Sequence, residues 1–182
     1  MNRLGFNQEP PLPEGKMGTS LYNVLKNIPG TDRFLKRTLR ALAEYLNALQ
    51  DDLSNLLGVG GGVDTSNMEP GKAGIVRGAL DELRRGFPRL RNAIQSIVEN
   101  PTNIMNLPAA IVGEVIGSLQ SVFGSLFSLL TNGVSYESVI PNSVPALWNL
   151  IKAVFSDAMS SPGAVMKLGL KLVAPGPVAR FL

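Results

Sequence analysis

The chain has 182 residues, of which 45% are hydrophobic, so it is long and apolar enough for a domain with a core, and wholesale disorder is excluded. Only 17% of the residues are charged, well below the roughly 25% of a typical soluble domain. The absence of cysteine and histidine excludes disulfides, thiol nucleophiles, imidazole catalysis and the usual zinc, copper and haem ligands. The net charge of +3 is mildly basic, unlike that of a dedicated nucleic-acid binder. A surface with so few charged residues indicates that the protein has a neighbour: another copy, a partner protein or a membrane.

The N-terminal segment 1–18 reads as an extended arm. It lacks the apolar stretch of a secretory signal peptide, so we expect no secretion by that route. Prolines at positions 10, 11 and 13 disfavour regular structure there. We expect this arm either to be without order or to lie across a neighbouring chain.

Two helices are predicted in segment 19–57. A short one carries apolar residues from Leu21 to Ile28, and a long one begins at Thr31 and is closed by Gly58. The long helix carries leucines at alternating steps of four and three residues, which form a heptad seam. This seam predicts either a coiled-coil contact with another copy or a buried stripe in the chain's own bundle. It consists of Leu35, Leu39, Leu42, Leu46, Leu49, Leu53 and Leu56.

Segment 58–74 is rich in glycine and predicts a linker, and segment 75–160 predicts a helical core. In that core we expect a helix from Ile75, a break at 86–88 and a second helix that ends before Pro101. Later helices are expected to start near Pro108 and Pro145, because proline suits the first turn of a helix. No comparable run of strands is present, so the predicted fold class is mostly α: a multi-helix bundle with an extended arm and a C-terminal tail.

Segment 101–151 contains no lysine or arginine. Its helix at 107–130 has three interpretations: a buried central helix, an amphipathic helix on a membrane surface, or a transmembrane span. A stripe of small residues at helical spacing would let another helix approach closely and is a second candidate for self-association. The stripe consists of Gly113, Gly117, Ser121 and Ser125.

Two groups of basic residues are candidates for contact with phosphate or anionic lipid. The alternative is an ordinary solvated helix face with local ion pairs. The first group lies in the long helix, where its position near the helix N-terminus opposes the helix dipole. The groups consist of Arg33, Lys36, Arg37 and Arg40, and of Arg84, Arg85, Arg89 and Arg91.

The tail 161–182 contains Lys167, Lys171 and Arg180 and no acidic residue. Together with its apolar residues, these cations would suit a membrane surface or docking on a neighbouring subunit. We predict a helix over 165–173, although apolar and polar residues alternate there with the period of a strand.

No catalytic constellation is evident. The glycine run at 58–62 follows a helix rather than a strand, so it is not a dinucleotide-binding fingerprint. After Gly71-Lys72, Ala73 stands where a phosphate loop needs a hydroxyl for magnesium. The adjacent carboxylates Asp51 and Asp52 are expected to be solvated. We therefore predict no enzyme activity, no cofactor and no metal site.

The sequence as a whole predicts a structural protein of a virion or an intracellular assembly. Few charges, many small residues and proline-rich ends are typical of helical coat, shell or minor capsid proteins, which is a likeness of composition alone. The expected partners are other copies of the chain and other structural proteins. A membrane-active protein that uses 107–130 and the basic tail, and a packaging protein that binds nucleic acid non-specifically through the two arginine groups, are the alternatives.

Overall fold

A computed structural model describes residues 9–28, 31–100, 108–160 and 163 of the chain. These residues form six α-helices and no β-strand, which confirms the predicted mostly helical fold. The helices are α1 (Met17–Leu25), α2 (Thr31–Leu57), α3 (Pro70–Glu99), α4 (Ala109–Thr131), α5 (Tyr136–Val139) and α6 (Ser143–Ser160).

Helix α2 has the predicted bounds and forms the centre of the fold. Helices α1 and α6 pack along it, and its leucines meet the apolar side of α3. Leu49 and Leu53 of α2 are fully buried, as are Val76 and Leu83 of α3. The core therefore lies between α2 and the α3–α4 pair.

Helix α3 differs from the prediction in two ways. It begins at Pro70, so residues 70–74 of the predicted linker 58–74 are helical; proline suits this first position because its missing N–H would have no intrahelical partner. It also continues through Pro88, so the break expected at 86–88 is wrong. Proline removes one backbone hydrogen bond, but Leu83, Phe87 and Leu90 lie on the same buried side and hold the helix together.

Helix α4 packs antiparallel to α3. Gly86 of α3 faces Ser121 of α4, where a Cβ atom on the glycine would lie 3.2 Å from the serine Oγ. Near the start of α4, Arg89 donates a hydrogen bond of 2.9 Å to Glu114. The predicted helix start near Pro108 is confirmed, since α4 begins at the next residue.

Asp52 of α2 caps the N-terminus of α6 and is buried, so the expectation that it is solvated is wrong. Its carboxylate accepts hydrogen bonds from the backbone N–H groups of Ser143 (2.7 Å) and Asn142 (3.1 Å). It also accepts from the Ser143 hydroxyl (2.6 Å) and from the Asn142 amide (2.9 Å). A carboxylate at this place satisfies N–H groups that have no partner inside the helix and favours the positive end of the helix dipole.

Asp157 of α6 performs the reciprocal role for α2. Helix α2 bends at Leu35, where φ is −121° and ψ is 19°. Beyond this bend, the backbone N–H of Thr38 donates a 2.8 Å hydrogen bond to the Asp157 carboxylate. Each helix is thus held near its start by an aspartate near the end of the other. These two contacts fix α2 and α6 antiparallel and in one register.

The described part of the N-terminal arm, residues 9–16, lies against α2 of its own chain. Glu9 forms an ion pair of 3.4 Å with Arg40, and Pro13 accepts a 2.7 Å hydrogen bond from the Thr19 hydroxyl. Lys16 pairs with Asp51. Residues 9–16 thus contact their own chain; residues 1–8 lie outside the described part, and the expectation for the arm as a whole stays a prediction.

Helix α1 begins earlier than predicted, because side chains of α2 cap its N-terminus, and it ends at Leu25. Asn47 and Gln50 accept hydrogen bonds from the backbone N–H groups of Thr19 (3.2 Å) and Met17 (2.8 Å). Gly18 allows this close approach, since a Cβ atom there would lie 2.6 Å from the Asn47 side-chain oxygen.

Candidate functional site

Helix α6 places its small and polar residues inward and its large apolar residues outward. Ser143 and Asp157 are buried, and Ala146 and Ala153 on the same side are partly buried. On the opposite side, Trp148 is 59%, Phe155 67% and Met159 85% exposed. A surface helix of a globular protein normally shows the reverse arrangement.

Helix α4 carries large apolar residues on two sides. Val122, Leu126 and Leu129 are buried in the core together with Ser118 and Ser125, whereas Phe123 is 42% and Phe127 68% exposed. The exposed apolar residues of the two helices form one surface, named here the α4–α6 face. It consists of Phe123, Phe127, Leu130, Leu147, Trp148, Ile151, Val154, Phe155 and Met159.

A groove with a volume of about 270 Å³ runs across this face, between the end of α4 and the start of α6. Tyr45 of α2 lies in it, with its ring centroid 6.2 Å from that of Phe123. Burial, with a smaller contribution from the nearby charge of Asp52, raises the pKa of Tyr45, so the groove holds a neutral phenol at physiological pH. The other lining residues are Leu126, Phe127, Leu130, Ile140, Ser143, Val144 and Leu147.

Polar residues bound the α4–α6 face on both sides. Gln120 and Thr131 are exposed on the outer side of α4. Lys152 lies at the far edge of α6, with its ammonium nitrogen 6.0 Å from the centroid of the Trp148 ring. An apolar centre with a polar rim is the usual composition of a protein–protein interface.

The face is large for a surface that stays in water. At about 150–250 Å² per aromatic side chain, the exposed parts of its four aromatic residues amount to roughly 350–590 Å². Its five aliphatic residues add to this area. The largest apolar patch of a typical monomer covers about 300–600 Å², and a stable interface buries about 800 Å² per partner.

The leucine seam of α2, the first predicted self-association surface, packs inside the chain. Leu39, Leu46, Leu49, Leu53 and Leu56 are buried in the core, and Leu35 and Leu42 are partly buried. The second interpretation of the seam, a stripe of the chain's own bundle, is the one that the structure shows. The seam is therefore not a surface that this fold offers to another copy.

One end of the small-residue stripe of α4 packs against α3, and the other end faces open space. Ser125 is buried and Ser121 contacts Gly86, so this end of the stripe lets α3 approach α4. Gly113 and Gly117 have open space where a side chain would stand. The interpretation of 107–130 as a buried central helix is wrong for the described chain, because one side of α4 is exposed.

Most residues of the two basic groups engage the chain's own side chains. On α3, Arg84 pairs with Asp81 at 3.0 Å and Arg85 pairs with Glu82. Arg89 pairs with Glu114, and this hydrogen bond lowers the pKa of Glu114. Arg91 lies over the Phe87 ring at 5.2 Å.

On α2, Arg40 pairs with Glu44 at 3.1 Å and Arg37 donates a hydrogen bond to Ser156. Lys36 is exposed. The side chain of Arg33 lies outside the described part of the chain, as do Lys167, Lys171 and Arg180 of the tail and the helix predicted over 165–173. The structure thus brings Arg37 close to α6 and spreads the other described basic residues over α2 and α3.

Helix α4 is long and apolar enough to cross a membrane, and only 22% of its most apolar 18-residue stretch is buried. In the described ranges, no group of three or more carboxylates is placed so that it could hold a metal ion.

Comparisons of the chain with protein-family models, curated proteins and solved structures find no match.

Proposed function

We propose that this protein is a non-enzymatic structural protein that assembles by burying the α4–α6 face against other copies of itself. The observation that carries the proposal is the exposed aromatic side of two helices: α6 buries Ser143 and Asp157 while it exposes Trp148 and Phe155, and α4 exposes Phe127. Exposing these side chains to water costs free energy in proportion to their apolar area, and association recovers it. The size of the face and its polar rim support a protein neighbour.

The most concrete form of this proposal is a coat, shell or minor capsid component of a virion. Its support is the composition: low charge, many small residues and proline-rich ends. Other structural proteins of the same particle would then be further partners.

Charge placed on the α4–α6 face is expected to abolish assembly. In buffer without detergent, the wild-type chain should elute as a homogeneous oligomer in size-exclusion chromatography with light scattering. Phe127→Asp and Phe155→Asp should elute as monomers, because an aspartate cannot be buried there without a partner. Asn149→Asp introduces the same charge on the flank of α6 and should leave the oligomer intact. A wild-type chain that is monomeric at every concentration would contradict the proposal.

A membrane-active protein is the second candidate, and the observation that favours it is the exposed apolar length of α4. Lys152, which is exposed beside Trp148, would meet anionic headgroups at the edge of the face. The same variants test it: the wild-type chain should sediment with phosphatidylserine vesicles and release trapped dye, and Phe127→Asp should do neither. Failure of the wild-type chain in both assays would exclude this candidate.

A further inference from the structure

We propose that the α4–α6 face is a two-fold interface in which the side chains of Phe155 and Met159 of one copy fill the groove of the other. This inference rests on the proposed self-assembly and specifies its geometry. A two-fold interface uses the same patch on both copies, so the patch must contain both a protrusion and a matching recess. The α4–α6 face contains both.

The groove lies on one side of Ile151. It is formed by Val144 and Leu147 at the start of α6 together with Phe127 and Leu130 of α4, and it therefore lies toward the N-terminus of α6 and toward α4. Its lining is apolar apart from one serine and the neutral phenol of Tyr45. An apolar group from a neighbour fills it without burying an unpaired polar group or charge.

The protrusion lies on the other side of Ile151. Phe155 and Met159 are among the most exposed apolar residues of the described chain. One turn apart, they form a ridge toward the C-terminus of α6. At 100° per residue, these two positions point away from α4, whereas Leu147 and Val154 point toward it.

The groove and the ridge therefore lie diagonally across the face from each other, with Ile151 between them. Two copies pressed face to face are related by a two-fold axis that lies in the interface plane. An axis that passes Ile151 and runs perpendicular to the line from groove to ridge places the ridge of one copy over the groove of the other. The two α6 helices then cross at Ile151, with Phe155 opposite the partner's Leu147. A head-to-tail contact would leave one groove and one ridge unfilled in every finite chain of copies.

The groove and the ridge carry no charged side chain. Lys152 lies beside the Trp148 ring at the edge of α6. Glu114 is held by Arg89 near the start of α4, and Asp157 is buried against α2. Filling the groove with the ridge therefore buries none of these charges.

The absence of cysteine from the sequence permits a direct test. In Ile151→Cys the single thiol lies beside the proposed axis, so mild oxidation should link the chain to its own copy as a disulfide dimer. Asn149→Cys carries its thiol on the flank of the same helix and should stay unlinked. When chains that carry Leu147→Cys are mixed with tagged chains that carry Phe155→Cys, the mixed dimer should exceed either self-linked dimer several-fold.

The outcomes separate the geometry from the function. If Ile151→Cys forms the dimer and Asn149→Cys does not, the two-fold interface is supported. If light scattering shows an oligomer but Ile151→Cys stays unlinked, the geometry is overturned while the proposed assembly stands. A monomer that binds phosphatidylserine vesicles through this face would overturn both, and so would a monomer that binds nothing. Circular dichroism of each variant shows whether it keeps the helix content of the wild-type chain.

Discussion

Replacing Asp52 with alanine is expected to lower the free energy of unfolding by about 2–4 kcal/mol. The buried carboxylate accepts hydrogen bonds from four donor groups at the start of α6, two of them backbone N–H groups that have no partner within the helix. Alanine would remove this acceptor and leave the buried N–H and hydroxyl of Ser143 without it. Urea unfolding followed by circular dichroism at a fixed protein concentration measures the effect.

The neighbouring carboxylate is the matched control. Asp51 is about half exposed and pairs only with Lys16, so Asp51→Ala should change the free energy of unfolding by less than about 1 kcal/mol. Asp52→Asn keeps one acceptor oxygen and should fall between the two. Equal losses for Asp51→Ala and Asp52→Ala would show that the cap on α6 does not hold the helix in place.

Two leucines should separate stability from assembly. Leu53→Ala is expected to lower the free energy of unfolding by about 2–5 kcal/mol, because this side chain of the α2 seam is fully buried in the core. Leu147→Ala should change it by less than about 1 kcal/mol in the monomer, since Leu147 is partly exposed.

The two substitutions should have the opposite order of effect on association. Leu147 lines the groove, so Leu147→Ala should weaken association at a given concentration, as light scattering measures it. Folded Leu53→Ala should still associate like the wild-type chain. A Leu53→Ala variant that is fully folded yet monomeric would show that the leucine seam of α2 takes part in association, and would contradict this account.

Local sequence signals predicted most helix positions. Thr31 and Gly58 bracket α2, and prolines mark the starts of α4 and α6, because caps and first-turn prolines act through groups only a few residues away. The same local rule failed at Pro88. There the burial of Leu83 and Phe87 against other helices outweighs the loss of one backbone hydrogen bond, and this burial depends on residues distant in the sequence.

Long-range contacts account for the other differences. The pair Asp51-Asp52 looks solvated in the sequence, and only the arrival of α6, 90 residues further along the chain, turns Asp52 into a buried cap. The carboxylate is the right residue type for such a cap. The residues next to Asp52 in the sequence do not predict that it caps α6.

The hydrophobic pattern of the sequence does not show which apolar side of α4 and α6 stays exposed. The large apolar residues of both helices lie on recognisable sides, and hydrophobicity alone predicts that those sides face the core. Val122, Leu126 and Leu129 of α4 do reach the core beside α2 and α3, whereas the aromatic residues of the α4–α6 face stay outside. Ser143, Asp157 and the α4 serines, spaced on the side opposite the aromatic residues, were the signal in the sequence.

The most direct test of the proposed interface needs no substitution, because the only tryptophan of the chain, Trp148, lies on the α4–α6 face. The account predicts a blue-shifted fluorescence emission with little acrylamide quenching at high protein concentration. On dilution, the emission should shift to the red together with the fall in mass seen by light scattering. An oligomer whose Trp148 emits as a water-exposed indole at every concentration would show that the chain assembles through another surface.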